Sequence, residues 1–179
     1  MIEVNELTYQ VGNRYLLQNL SFRAEAGELL AILGANGAGK STLMKLLCRE
    51  LHPSSGEIYL RGKNLKSYKL PELARIRAVL AQQNTISISF IVNELVMMGR
   101  YPHFEQHPVG RDYEVVKLAM EETGIMHLSG RNYNTLSGGE QQRVQLARVL
   151  AQVYDCPDAC LLLDEPTNGL DLQYQQQIM

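Results

Sequence analysis

Residues Gly34-Ala35-Asn36-Gly37-Ala38-Gly39-Lys40-Ser41 restrict this chain to few folds. The octet reads G-x-x-x-x-G-K-[ST]. It follows the apolar run Leu29-Leu30-Ala31-Ile32-Leu33 and opens a segment, about Lys40 to Cys48, with helical apolar spacing. Glycines let a backbone curl until successive N–H groups point inward at phosphate oxygens. Lys40 is spaced to reach the β- and γ-phosphates of a nucleotide, and the Ser41 hydroxyl to ligate Mg²⁺. The helix that starts here aims its positive dipole end at the same anion. A glycine-rich turn that only capped a helix would need neither the lysine nor the hydroxyl after a buried strand. Strand, glycine loop and helix in succession predict the start of a βαβ unit.

A second pattern complements the first. Cys160-Leu161-Leu162-Leu163 is apolar at consecutive positions, as expected of a strand buried on both faces of a parallel sheet, and Asp164-Glu165 follow it. Carboxylates at that end of a strand fall where ligands bind in open α/β sheets. Asp164 is the expected partner of Mg²⁺, and Glu165 is placed to polarise an attacking water as general base.

Between these anchors, Ile2/Val4 and Leu7/Tyr9 alternate in pairs, Gly12-Asn13 supplies a turn, and Leu16 to Phe22 is again extended. Strands are expected at Glu57 to Leu60 and Ala78 to Ala81. Helices are expected at Leu70 to Ile76, Ile91 to Gly99, Asp112 to Thr123, and along Val144, Ala147, Leu150 and Ala151. Strands on both sides of a helical block predict a sheet-based core with a helical insertion. At 179 residues the chain has one domain's length, and its net charge of −2 lacks the basic signature of a dedicated nucleic-acid binder. No apolar run reaches the ~18–20 residues that cross a bilayer, and no signal peptide is visible at the N-terminus. Three cysteines do not make a disulfide framework; Cys156 and Cys160 read as buried thiols, and a reducing, cytoplasmic compartment fits them.

Leu136-Ser137-Gly138-Gly139-Glu140-Gln141-Gln142-Arg143 resembles the signature motif of ATP-binding cassette (ABC) ATPases. Ser-x-x-Glu ahead of an apolar-periodic helix also fits a capping box, which does not account for the two glycines between; the two roles are compatible at different stages. The resemblance covers essentially the whole chain. Gln82, after the Ala78–Ala81 strand, resembles the Q-loop glutamine, with Gln83 the adjacent alternative, and Asn168-Gly169-Leu170-Asp171 resembles the D-loop. Tyr9 resembles the aromatic that stacks on adenine, although an aromatic ending an alternating strand also suits a core.

The resemblance implies an α/β fold: a P-loop NTPase (ABC ATPase) core with an N-terminal antiparallel β subdomain and a helical insertion, truncated at the C-terminus. It implies one domain over 1–179 with a helical subdomain at approximately 85–144. It further implies MgATP as ligand, held by Tyr9, by Gly34 to Gly39, and by Lys40, Ser41 and Thr42. Glu165, Lys40 and Gln82 would be catalytic; Ser41, Gln82 and Asp164 would hold Mg²⁺. Ser137, Gly138 and Gly139 would contact the γ-phosphate of ATP on a second copy, which makes the working form a homodimer that sandwiches nucleotide. The partners implied are transmembrane permease subunits and, indirectly, a substrate-binding protein, with no nucleic acid; the location is the cytoplasmic face of the inner membrane.

Lys40 and Ser137 stand 97 residues apart without sustained heptads, which disfavours the coiled-coil ABC proteins of chromosome maintenance and break repair. The stretch Phe90 to His103 is similar to the region after the Q-loop in importers of haem, ferric siderophores and cobalamin, where it meets the permease. Gln141 to Gln152 is most similar to haem-importer ATPases. His103 and His107 flank a proline-rich loop and read as solvated or partner-facing. The family's switch histidine, beyond the D-loop, is not reached by Met179, so the chain reads as a fragment or truncated product that binds and hydrolyses nucleotide poorly. Two alternatives to the importer are a non-transport ABC module using ATP as a conformational switch and an inactive nucleotide-binding remnant.

Overall fold

Alternating residues near the N-terminus form strand β1 (Ile2–Val11), which turns at Gly12-Asn13 into β2 (Arg14–Ala24). The computed structural model describes residues 1–81 and 89–164. β1 pairs antiparallel with β2 on one side and with β3 (Ser55–Leu60) on the other, and β3 pairs with the short β4 (Lys63–Asn64). The strand order is β2-β1-β3-β4, the antiparallel N-terminal sheet expected. The paired alternation in β1 has a physical cause. The β1–β2 register shifts between Val4 and Leu7 and again before Tyr9, and Glu6 and Asn19 take positive φ. Side-chain hydroxyls fill the broken ladder: the Glu6 N–H donates to Ser21 Oγ at 2.8 Å and the Asn19 N–H to Thr8 Oγ1 at 3.0 Å.

The chain falls into two compact units, residues 1–70 and 71–179. The first holds the four-stranded sheet and α1 (Lys40–Leu47), whose buried Leu43, Leu46 and Leu47 form one apolar face. The second begins with α2 (Leu70–Ile76, its first residue in the preceding unit), β5 (Arg77–Leu80), α3 (Val92–Met97) and a 3₁₀ turn at Met98–His103. It continues through α4 (Gly110–Glu122) and α5 (Gly138–Val153) to β6 (Cys160–Leu163). Val92, Leu95, Val96, Val115, Val116, Ala119, Met120, Val144 and Ala147 bring α3, α4 and α5 into one apolar core. β5 and β6 pair in parallel, and Val149 and Val153 of α5 pack on Ala78 and Leu80 of β5.

Two expectations need correction. Glu28 to Leu33 is not a strand: Leu29 and Leu33 are 68% and 90% exposed, and no described strand pairs with the run. Apolar composition favours a strand only where a neighbour accepts its hydrogen bonds. β6 is not buried along its whole length: Leu162 is 9% and Leu161 39% exposed, although Leu163 on the same face as Leu161 packs with Leu146, Val149 and Val153 of α5. Cys156 and Cys160 are half-buried rather than buried, and neither is in a disulfide.

The 3₁₀ turn after α3 is fastened to α5 by close backbone approach. A Cβ on Gly99 would fall 2.2 Å from the Arg148 carbonyl oxygen, inside any van der Waals contact. His103 is half-buried rather than solvated, because its Nε2 donates to the Gln152 carbonyl at 2.7 Å; His107 is exposed, as expected. Gly99→Ala should therefore push the turn off the helix at a cost of ~3 kcal/mol. Urea unfolding of the variant, compared with Gly110→Ala where a Cβ meets nothing within 4 Å, measures this.

Candidate functional site

The loop is exposed over 34–38 and leads into α1 through the half-buried Gly39, its N-cap at φ 96°, a left-handed conformation that favours glycine. A Cβ there would lie 2.6 Å from the Leu16 carbonyl oxygen and 2.8 Å from Leu17 Cδ2, so glycine also permits the loop to close on β2. No side chain caps the helix and no acid stands in its first turn, which leaves the dipole's positive end free for an anion. Inside the loop the Ala38 N–H bonds the Ala35 carbonyl at 3.1 Å. Lys40 Nζ donates to the carbonyls of Gly34 at 2.5 Å and Ala35 at 3.0 Å, which holds the ammonium within the turn it follows. Ser41 is exposed and Thr42 half-buried in the first turn of α1. Tyr9 is half-buried opposite Leu17, the side chain that meets Gly39, so strand pairing places the aromatic on the hairpin against which the loop closes.

In the second unit, Ser137 is the N-cap of α5. Its N–H and Oγ donate to Glu140 Oε2 at 2.8 and 2.7 Å, and the Glu140 N–H reaches Ser137 Oγ at 3.4 Å. The capping box is thus formed, and Gly138 beside it has open space where a Cβ would stand. Gln141 Nε2 donates to the carbonyls of Tyr133 and Leu136, both at 3.3 Å, and Gln145, 2% exposed, donates to the Tyr133 hydroxyl at 3.0 Å. These two glutamines tie the segment before Ser137 to its own helix. Spacing alone did not single them out; the signal was a polar residue, Gln145, beside Val144 on the buried stripe.

Asp164 follows β6 half-buried, its N–H bonded to the Leu80 carbonyl at 2.9 Å, so it stands at the end of the parallel pair from which Ala81 also leaves. Ser137 and Asp164 are not brought together within the second unit. Leu146 shares a cluster with Leu163, and Ser137 lies nine residues ahead of Leu146, which carries it roughly 13 Å along the helix at 1.5 Å per residue. Gln82, Gln83, Glu165 and the segment Asn168 to Asp171 lie outside the described residues.

Glu140 titrates below the usual carboxylate range, because its charged form accepts hydrogen bonds from the Ser137 hydroxyl and N–H. A depressed carboxyl contributes stability above its unfolded value of 4.5, and that contribution is lost as pH falls through the lower folded value. Amide protection in the first turn of α5, relative to the intrinsic exchange rate at each pH, should fall below pH ~4.5 in the wild type, whereas Glu140→Gln, which keeps the box without a titrating group, should show no such step.

Residues 17–168 match the family model described as ABC transporter. The chain belongs to this family. Among relatives, the hemin import ATP-binding protein HmuV of Methylobacillus flagellatus is 44% identical over 181 residues, covering 100% of this chain and 67% of that protein. The protein of the same name from Gloeobacter violaceus is 44% identical over 182 residues, covering 100% of this chain and 66% of the relative. The ABC chain here thus spans about two thirds of the length of these relatives. Among solved structures, an ABC transporter of metal-chelate type in an inward-facing conformation is 31% identical with a TM-score of 0.81, covering 99% of this chain and 64% of that one. A bacterial ABC transporter cassette solved as a dimer is 28% identical with a TM-score of 0.81, covering 99% and 79%. These likenesses bear out the P-loop NTPase fold with its antiparallel N-terminal sheet. No helix of the described residues is long and apolar enough to cross a membrane.

Proposed function

We propose that this chain is the ATP-binding and hydrolysing part of an ABC importer that powers haem uptake across the inner membrane. The observation that carries the reading is the uncapped N-terminus of α1 behind an exposed glycine loop, with Lys40 held on the carbonyls of Gly34 and Ala35. The names of the relatives, hemin import ATP-binding proteins at 44% identity, support the cargo. The metal-chelate type of the solved neighbour supports a second reading, a ferric-siderophore or cobalamin importer.

In this reading the backbone N–H groups of 34–39 bind the β- and γ-phosphates, and Lys40 exchanges its carbonyl partners for γ-phosphate oxygens. Tyr9 stacks on adenine, and Thr42 extends the contacts of the first turn. Ser41, Gln82 and Asp164 offer hydroxyl, amide and carboxylate oxygens, the donor set that Mg²⁺ prefers; the ion supplies charge neutralisation at the phosphates. Glu165 accepts a proton from the water whose oxygen attacks the γ-phosphorus, and the bond to the ADP oxygen breaks. Ser137, Gly138 and Gly139 of a second copy complete each site, so the working form is a homodimer bound to permease subunits at the cytoplasmic face of the membrane. The distance of Ser137 from β6 along α5 supports a site completed by another copy.

The test is haem uptake in cells that depend on the full-length gene, wild type against Glu165→Gln. Loss of haem uptake, with siderophore and cobalamin uptake intact, is expected. Unchanged haem uptake, with the protein expressed and permease-bound, would discard the haem cargo. Light scattering supplies an independent check: Glu165→Gln in the full-length protein with excess MgATP should give the dimeric mass, and a monomer would sink the sandwich.

A further inference from the structure

The first unit carries a cavity of about 210 Å³ at the end of α1 opposite the glycine loop. Its floor is apolar: Leu46, Ile58 and Leu65 are 1%, 5% and 4% exposed. Its wall holds Arg49, His52 and Lys66 and no carboxylate. Arg49 is fixed there twice over. It takes φ 61° where α1 ends, and its Nη1 donates to the Tyr68 carbonyl at 2.8 Å. The N–H groups of Cys48, Arg49, Glu50 and Leu51 bond the carbonyls of Met44, Leu46 and Lys45, so the negative end of the helix is covered rather than turned on the cavity. Asn64 is engaged as well, accepting from the Lys66 N–H at 3.0 Å and donating to Glu57 at 3.2 Å. The side chains of His52 and Lys66 are left without an ion pair among the described residues, at the mouth of a hydrophobic pit.

An apolar floor with two cations, Arg49 and Lys66, and the His52 imidazole at one side selects a ligand with the opposite division. We propose that this cavity binds a small amphipathic anion, a carboxylate on a compact apolar body, with the body on Leu46, Ile58 and Leu65 and the carboxylate between Arg49, His52 and Lys66. The volume lies below the ~300–1,000 Å³ of drug-sized sites, which limits the ligand to a short chain or a single ring. The site is separate from the nucleotide loop, because it uses the other end of α1.

Hexanoate is the probe, titrated into the full chain with saturating MgATP so that the glycine loop is not available to it. Methyl NMR signals of Leu46, Ile58 and Leu65 should shift saturably. Hexanol, with the same chain and no charge, should bind at least tenfold more weakly, and inorganic phosphate should leave these methyls unmoved. The double variant His52→Gln, Lys66→Gln changes two exposed side chains and should weaken hexanoate tenfold or more while ATP binding is unchanged. Three outcomes would overturn the site. One is no methyl shift at ~10 mM hexanoate, enough to reveal a Kd near ~1 mM. The others are equal binding of hexanol and hexanoate, and an unaltered affinity in the double variant.

Discussion

Lys40→Ala is expected to lower ATP turnover by ~10²–10³-fold while leaving the melting transition in place. The two halves of that result have separate causes. Among the described residues the ammonium bonds the carbonyls of Gly34 and Ala35, in a loop exposed to water, so its removal strands no buried group there. Its contribution is made in the transition state, where charge gathers on the γ-phosphate oxygens and a positioned cation stabilises it. Lys40→Arg should restore little of the rate, because a planar guanidinium cannot occupy the space of a point charge seated on two adjacent carbonyls. ATPase assays beside calorimetry of the same preparations check both halves. A variant that lost turnover and melting temperature together would show that the lysine holds the loop instead of acting on phosphate.

The second large effect concerns stability alone. Arg100 is 2% exposed and joins three parts of the second unit. Its Nε lies 2.9 Å from Asp112 Oδ1, its Nη2 2.8 Å from Asp155 Oδ2, and its Nη1 donates to the Ala151 carbonyl at 2.9 Å. Asp112 is equally buried, and its other oxygen caps α4 by accepting the Val109 N–H at 2.9 Å. Arg100→Met should therefore cost about 3–5 kcal/mol, the penalty of a buried carboxylate left without its cation. Asp112→Leu in the same background removes that stranded charge, at the expense of the cap, and should recover more than half of the loss. Asp155 is held below the usual carboxylate range by Arg111 and Arg100 against its own partial desolvation, and it keeps Arg111 as a partner at 2.6 Å when Arg100 is gone. Urea unfolding of the single and double variants measures both numbers. Additive losses would mean that the pair does not act as a unit.

The same residues show what was legible beforehand. The glycine loop, the start of α1 and the Ser137–Glu140 box were readable because each is set by neighbours within a few positions. A lysine after glycines and a serine three residues ahead of a glutamate constrain their own backbone. The hairpin turn at Gly12-Asn13 was readable for the same reason, whereas the apolar runs at 78–81 and 160–163 became strands, at 77–80 and 160–163, because they pair with each other. Arg100 was not readable. Gly99-Arg100-Tyr101-Pro102 reads as a polar break after a helix, since arginine is ordinarily exposed, and its two carboxylates stand 12 and 55 residues further on. The cavity behind Arg49 was equally silent, because its lining comes from α1, the loop after it, β3 and the turn after β4.

Leu29 to Leu33 marks the boundary between the two kinds of information. Its composition states a preference for extended, buried backbone, and the expectation of a strand followed from that preference. Whether the backbone becomes a strand depends on hydrogen bonds that another segment must accept, and none of the described strands does so. The sequence by itself determined the phosphate-binding loop, the capped signature helix and the family, since these rest on short-range stereochemistry. Only the tertiary structure decided which charges are buried, which apolar runs are covered and where the cavity behind Arg49 opens, because each depends on groups far apart in the chain meeting at one place.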